Sequence, residues 1–206
     1  MAQYKAILYG SVFFHEEDPA SSCHLLISGH VKLVQHNFDG AQVVVRFVAP
    51  GQMFGWASVM GGRHYPASAE AMTDSVALVW DNQTIRRAVL AHPALALNAL
   101  GIMGGRLREA EDRLRELATE RVERRLARAL LRLAEQSGVV TAEGTEIAFP
   151  VSRQILADTT GATLHTISRI LSNWDQRGLT GGGRQKLLLL RLDQIKDLAE
   201  SDDAAS

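Results

Sequence analysis

The hydrophobic pattern changes period once along this chain, near residue 82, and that change restricts the fold to a β unit followed by helices. Upstream, LLISGHVKLVQ (25–35), AQVVVRFVAPG (41–51) and SVALVWD (75–81) are short runs rich in Val, Leu and Ile. Such residues fit a pleated, half-buried surface, so these runs read as strands. Ser28-Gly29, Asp39-Gly40, Pro50-Gly51 and Gly61-Gly62 supply turns between them, and Asn37-Phe38-Asp39-Gly40 reads as a hairpin loop. Strands at this spacing imply a sandwich or barrel rather than βαβ units. MFGWASVM (53–60) interrupts the strands and suits a single helical turn.

Downstream, from Asn82 to about Glu135, Pro93 is the sole proline and Ala, Leu, Arg and Glu dominate. Leu100, Met103, Leu107, Ala110, Leu114 and Leu117 recur at 3-4-3-4-3, the a/d seam of a coiled coil. Gly104 and Gly105 weaken this helix by about 1 kcal/mol each relative to alanine. The seam packs either on its own β unit or on the same helix of a second copy. The flanking Arg106, Arg108, Glu109, Glu111, Arg113 and Glu116 suit the second arrangement. RVERRLARALLRLAEQSG (121–138) carries a separate apolar face, with Gly138 as its C-terminal cap. The loop after it holds a strand candidate at Glu146–Phe149.

VSRQILADTTGATLHTISRILSNWDQRG (151–178) reads as a helix-turn-helix. Ser152 caps a first helix that exposes Arg153 and Gln154 and buries Ile155, Leu156 and Thr159. Gly161 stands where the turn needs positive φ. Thr163 caps a second helix with Ile167, Ile170, Leu171 and Trp174 inward and His165, Thr166, Ser168 and Arg169 outward. LTGGGRQKLLLLRL (179–192) reads as a hairpin, which makes the motif a winged one, and the tail SDDAAS reads as frayed. Ser152, Arg153 and Thr163 at helix starts suit phosphate contacts, as do Arg184 and Lys186 on the wing, while Arg169 suits guanine O6 and N7.

The whole chain of 206 residues has 22 Lys+Arg against 23 Asp+Glu, a net charge of −1 that on its face speaks against nucleic acid. The average hides local charge. Residues 151–191 carry six basic and two acidic groups, and residues 121–134 carry five arginines and one glutamate, +4 on each segment. At 46% hydrophobic the chain is not disordered, and no apolar run approaches the roughly 18–20 residues of a membrane span. The N-terminus has no basic and apolar leader pattern, and a cytoplasmic setting fits. The single Cys23 excludes an internal disulfide and any site built from cysteines alone.

LLISGHVKL with its hairpin, FVAPGQMFGWASVMGG, RLREAEDRLRELATERVERRLARALLRLA and VSRQILADTTGATLHTISRILSNWDQRGL occur in the order seen in the Crp–Fnr family of bacterial transcription regulators, and the chain resembles that family over nearly its whole length. The resemblance implies an α+β protein with three parts. A cyclic-nucleotide-binding-like β-roll, a double-stranded β-helix or jelly-roll, spans 1–92. A dimerisation helix spans 93–118, and a winged helix-turn-helix spans 119–206. It also implies a homodimer on a palindromic double-stranded DNA operator, with RNA polymerase as a further partner and no membrane. The chain looks as though it starts on the first strand, without the leading helical segment of many relatives.

The departures from the family concern the effector. Cyclic-AMP-binding members carry a Glu after the Phe-Gly of their phosphate-binding turn and an Arg-Ser-Ala run. Here the turn reads Phe54-Gly55-Trp56 and the run Pro66-Ala67-Ser68. Burying a cyclic phosphate without its arginine is costly, so the effector is something other than cyclic AMP, or the protein is constitutive. The corresponding pocket residues are Phe54, Gly55, Trp56, Ser58, Tyr65, Ala67 and Ser68, with Met60 nearby. The oxygen-sensing branch uses a cysteine-ligated iron–sulfur cluster, which one cysteine cannot supply. Haem is the alternative cofactor, for a sensor of nitric oxide or CO, with His15, His24, His30, His36 and His64 as candidate ligands. Cys23 is a candidate redox switch. A cupin-like metal enzyme is the opposing class, since His24, His30 and His36 are six apart, but the Ser28-Gly29 turn breaks that strand. In the recognition helix, Leu164 and His165 replace the family's Arg-Glu or Val-Glu pair, whereas Ser168 and Arg169 match the fumarate–nitrate regulator pattern.

Overall fold

The computed structural model describes residues 2–37, 40–183 and 185–201. Phe38 and Asp39 of the expected hairpin loop, Arg184 and the final residues of the tail lie outside the described residues. Contacts divide the chain into two compact units, Met1–Arg113 and Leu114–Ser206.

The first unit is built from eight strands: β1 (Gln3–Ile7), β2 (Val12–Phe14), β3 (Ser22–Ser28), β4 (Val31–His36), β5 (Gln42–Val48), β6 (Met53–Phe54), β7 (Ser68–Ala71) and β8 (Ser75–Asp81). They form two antiparallel four-stranded sheets, β1-β8-β3-β6 and β2-β7-β4-β5. Phe13, Phe14, Leu26, Val31, Val48 and Phe54 form the core of this unit, a jelly-roll arrangement. The run 25–35 is two strands rather than one. Gly29, with φ of 86°, turns the chain between β3 and β4, and a Cβ there would press into the backbone of Asp74 and Ser75. Trp56–Ser58 forms the single helical turn expected between strands.

Asp81 ends β8 and caps α1 (Asn82–Ala91), its Oδ1 accepting the Thr84 amide at 2.8 Å. Pro93 opens α2 (Pro93–Thr119), the first-turn place where a missing N–H costs nothing. In the second unit α3 (Val122–Ser137) buries Leu126, Ala127, Ala129, Leu130 and Leu133. Gly138 caps it as expected, but in an extended conformation (φ −81°). Glycine is needed there because a side chain would meet the Ala134 carbonyl.

Then follow β9 (Gly138–Val140), β10 (Thr145–Ile147), α4 (Arg153–Thr160), α5 (Leu164–Gln176), β11 (Thr180–Gly181), β12 (Leu188–Leu189) and α6 (Leu192–Glu200). The sheet order is β11-β12-β10-β9, so the C-terminal hairpin is completed by two strands from before the helix pair.

Three expectations need correction. The strand candidate at 146–149 ends at Ile147, and Phe149 is buried outside it. In α4 Thr160 is buried (3% exposed) while Ile155 and Thr159 are half-buried; both threonines turn their hydroxyls back to carbonyls one turn earlier, at 2.7 and 2.6 Å, which lets Thr160 sit in the core with its polar atom satisfied. The hairpin does not run through 192. Leu192 begins α6, whose Ile195 and Ala199 are buried, and Arg124 on α3 donates to the Ala199 carbonyl at 2.9 Å. The leucine run hid this helix start, because Leu187–Leu190 and Leu192–Ala199 switch from strand to helical spacing without a break in polarity.

Candidate nucleic-acid interface

Two hydroxyl caps and one glycine set the geometry of the helix pair. Ser152 Oγ accepts the Ile155 amide at 3.1 Å and starts α4. Gly161 closes α4 in the left-handed region, with φ of 62°. Thr163 Oγ1 then accepts the Thr166 amide at 3.1 Å and starts α5. Ile167, Ile170, Leu171 and Trp174 form the buried face of α5, as their spacing required. Trp174 is fully buried, and its indole N–H donates to Glu123 on α3 at 2.7 Å. That bond satisfies the one polar atom of the largest core side chain.

The opposite face of α5 is open. His165 and Arg169 are exposed, Thr166 and Ser168 are half-buried, and Leu164 is 47% exposed at the start of the helix. The Thr166 hydroxyl lies 2.9 Å from that of Thr163, so it belongs to the cap as much as to the outer face. Arg153 and Arg169 have no protein partner among the described residues. Lys186 stands on the wing but forms an ion pair with Glu146 at 2.9 Å. A cleft of about 580 Å³ lies between the start of α4 (Ser152, Arg153, Gln154), α5 (Leu164, Asp175) and the wing (Gly181–Gly183, Lys186). A capped helix start, an unpaired arginine and a wing thus border one depression. Leu164, which stands with His165 where the resemblance places a charged pair on the recognition helix, borders this depression as an exposed apolar side chain.

The arginines of α3 do something other than expected. The +4 over 121–134 suggests groups that neutralise phosphates, but these side chains are instead paired within the protein. Arg132 grips Glu116 with both nitrogens, at 2.7 and 3.1 Å, and Glu116 is 4% exposed. Arg128 and Arg124 reach Glu120 at 3.1 and 3.6 Å. Arg125 donates to the carbonyls of Glu120 and Thr160. The two glutamates belong to the last turn of α2 and the residue after it, so a count limited to 121–134 leaves out the acids that neutralise these bases.

In the first unit, Phe54 (1% exposed), Tyr65 (2%), Ala67 and Ser68 are buried. Trp56 is half-buried, with its indole nitrogen enclosed and unpartnered. The Ser58 side chain lies outside the described residues. Gly55 takes φ of 76° against His24 and Phe14. Tyr65 stacks on Phe14 at 3.7 Å and donates its hydroxyl to the Ser22 carbonyl at 2.7 Å. The Ser68 hydroxyl accepts the Glu16 amide at 2.8 Å. Phe54 and Tyr65 therefore serve as core side chains.

Among the five histidines, His15, His36 and His64 are exposed, His30 is half-buried and His24 is buried. The rings of Phe54, Phe14 and Phe13 surround His24 at 4.9, 5.3 and 5.7 Å. Its Nδ1 has no partner. His24 and His30 flank a turn, and His36 ends β4 in the other sheet, so the six-residue spacing does not gather them on one strand face. No group of three or more His, Cys, Asp or Glu positioned to hold a metal occurs among the described residues. Cys23 is fully buried, and burial pushes its thiol up to about 11, away from the thiolate a redox switch needs.

On α2 the seam faces solvent in the single chain. Leu100, Leu107, Leu114 and Leu117 are 63, 62, 69 and 52% exposed, Ala110 is exposed and Met103 half-buried. No single helix among the described residues is long and apolar enough to cross a membrane.

Comparison with known proteins bears on both units. A family model described as the cyclic nucleotide-binding domain matches residues 5–92, and one described as the Crp-like helix-turn-helix domain matches 124–198. The nitrogen fixation regulation protein FixK of Azorhizobium caulinodans is 29% identical over 187 residues, 88% of this chain and 72% of the relative. A CRP-like cAMP-activated global transcriptional regulator of Mycobacterium tuberculosis is 26% identical over 169 residues, 82% of this chain and 75% of the relative. Among solved structures, FixK2 from Bradyrhizobium japonicum superposes with a TM-score of 0.86 at 26% identity, covering 100% of both chains.

The buried histidine gives a pH test. Burial, with the charge of Lys5 adding, lowers the His24 pKa from 6.5 to about 4. Between these values the unfolded chain binds a proton that the folded chain refuses. Stability therefore falls as pH drops from 6.5 to 4, by on the order of 3 kcal/mol. Urea denaturation at the two pH values should show this loss, and His24→Phe should remove most of it. An equal loss in the variant would assign it to other groups.

Proposed function

From the membership of this chain in the Crp/Fnr family of transcription regulators, we propose that it acts as a homodimer on a palindromic operator, under an effector other than cyclic AMP or constitutively. The observation that carries the reading is the outer face of α5, where Arg169 stands exposed without a protein partner beside His165, on a helix fixed by the Thr163 cap. Arg169 reads guanine in the major groove, and His165 reads the base beside it. Leu164 offers an apolar contact suited to a thymine methyl group. Ser152, Arg153 and Thr163 hold phosphates, with Thr166, Ser168 and the wing residues Arg184 and Lys186 completing the interface. Lys186 must exchange Glu146 for phosphate to do so.

Support for the dimer comes from the exposed leucines of α2, which a parallel second copy would cover. The proposed division is a sensor over 1–92, a dimerisation helix over 93–118 and a DNA-binding part over 119–206. RNA polymerase is the proposed protein partner, and the cytoplasm, where such a promoter complex assembles, the proposed location. Against cyclic AMP stand Trp56 after Phe54-Gly55 and the Pro66-Ala67-Ser68 run, which lack the family's acidic and basic nucleotide contacts.

Selection of bound sequences from a random pool tests the reading directly. Wild type should enrich a two-fold symmetric site, and His165→Glu should change the base at one position in each half-site. Identical consensus sites for both proteins would sink the role given to His165. Arg169→Ala should cost about 1–3 kcal/mol at the selected site and little on random DNA. Equal losses on both would make Arg169 a phosphate contact only. For the dimer, sedimentation equilibrium of a Leu107→Asp, Leu114→Asp variant should give the monomer mass, where wild type gives twice that mass; a wild-type monomer at micromolar concentration overturns the proposal.

A further inference from the structure

The turn that precedes α5 is fastened twice to the end of α2. Gly161, in the left-handed region, sits against one methyl group of that helix: a Cβ at this glycine would lie 3.0 Å from Leu117 Cδ2. Beside it Arg125, on α3, bridges two further elements. Its Nη1 donates to the carbonyl of Glu120, just past the end of α2, at 2.8 Å, and its Nε donates to the carbonyl of Thr160, the last residue of α4, at 3.1 Å. Residues 160 and 161 directly precede the Thr163 cap that starts α5.

The end of α2 is itself held. Arg132 grips the buried Glu116 with two nitrogens, and Arg128 and Arg124 reach Glu120. The last turn of α2, the start of α3 and the helix-turn-helix turn are thereby packed into one joint. All of it lies in the second unit, together with Leu114 and Leu117, the final leucines of the α2 seam.

Filling the core does not account for Leu117, which is 52% exposed yet meets the turn. Capping explains part of Arg125, since carbonyls at helix ends need donors. It does not require one planar guanidinium to serve two helices at once, an arrangement that fixes the distance between them. We propose that Leu117 and Arg125 are positioning residues for operator recognition. They carry the setting of the paired α2 ends to the turn before α5, and so fix the half-site spacing that the dimer accepts. This rests on the dimer and operator reading above. Half-sites on one face of the duplex recur once per helical turn, so one inserted base pair rotates a half-site by about a tenth of a turn, which a stiff joint rejects.

Hydrogen exchange of the full chain without DNA tests the two ties. The Ala162 amide closes the turn by donating to the Ala157 carbonyl at 3.1 Å. Leu117→Ala and Arg125→Gln should each speed its exchange by roughly tenfold, while the Ile170 amide inside α5 keeps its rate. An unchanged Ala162 rate in either variant overturns the proposal, as does equal speeding at Ile170, which marks general loosening. If Arg125→Gln fails to fold, Arg125→Lys takes its place, since one ammonium cannot span both carbonyls in the same way.

The consequence is read on DNA, at concentrations where sedimentation shows the dimer. Wild type should bind its selected two-fold site roughly tenfold more tightly than the same site with one base pair inserted between the half-sites. Each variant should bind the two within about threefold of one another, with the base preference inside each half-site unchanged. Leu117→Met, which again places a methyl group at the turn, should restore the spacing preference. Variants that weaken both sites in the same ratio as wild type overturn the positioning role. A wild type that selects no two-fold site sinks the operator reading and the spacing role with it, whereas unchanged exchange rates sink the positioning role alone.

Discussion

A carboxylate that is 4% exposed has to be neutralised where it sits, and the second unit is organised around two such groups. Glu116 and Glu120, at the end of α2, are met by Arg132, Arg128 and Arg124 from α3. Taking away Arg132 alone would leave Glu116 buried and unpaired, a loss of about 3–5 kcal/mol. The pairs also fix the rotation of α3. With the arginines committed to one side, Leu126, Leu130 and Leu133 must face the other, where Trp174 and α6 complete the core. Arg125 adds a tie to the Thr160 carbonyl at the end of α4. The outer face of α5 is thus oriented by a chain of contacts that begins with two buried acids.

The helix-turn-helix could be read from the sequence because its determinants are local. Ser152, Gly161 and Thr163 act on amides within four residues, and the inward set Ile167, Ile170, Leu171 and Trp174 follows from helical spacing alone. The two-sheet unit was legible as a class, but β1, β2 and β7 were not delimited, since short strands of mixed polarity such as SAEA carry no clear alternation. What sequence spacing could not supply was the pairing of distant charges. Arg132 and Glu116 are sixteen residues apart. Counting charge by segment placed the α3 arginines on the wrong side for that reason. The helix α6 was hidden by the opposite problem, an apolar run long enough to serve a strand and a helix in turn.

In the first unit, the residues that correspond to the family's nucleotide pocket are part of the core. Phe54 packs against Phe13, Phe14 and His24, and Tyr65 stacks on Phe14.

The internal pairing on α3 has a consequence for how such a protein finds its site. Each phosphate that a cation neutralises releases a condensed counterion, and that release drives sequence-independent adhesion to DNA. Arginines already satisfied by Glu116 and Glu120 release few counterions. These side chains therefore add little to the salt-dependent, sequence-independent part of the DNA affinity proposed above, which falls to cations left without a protein partner, Arg153 among them.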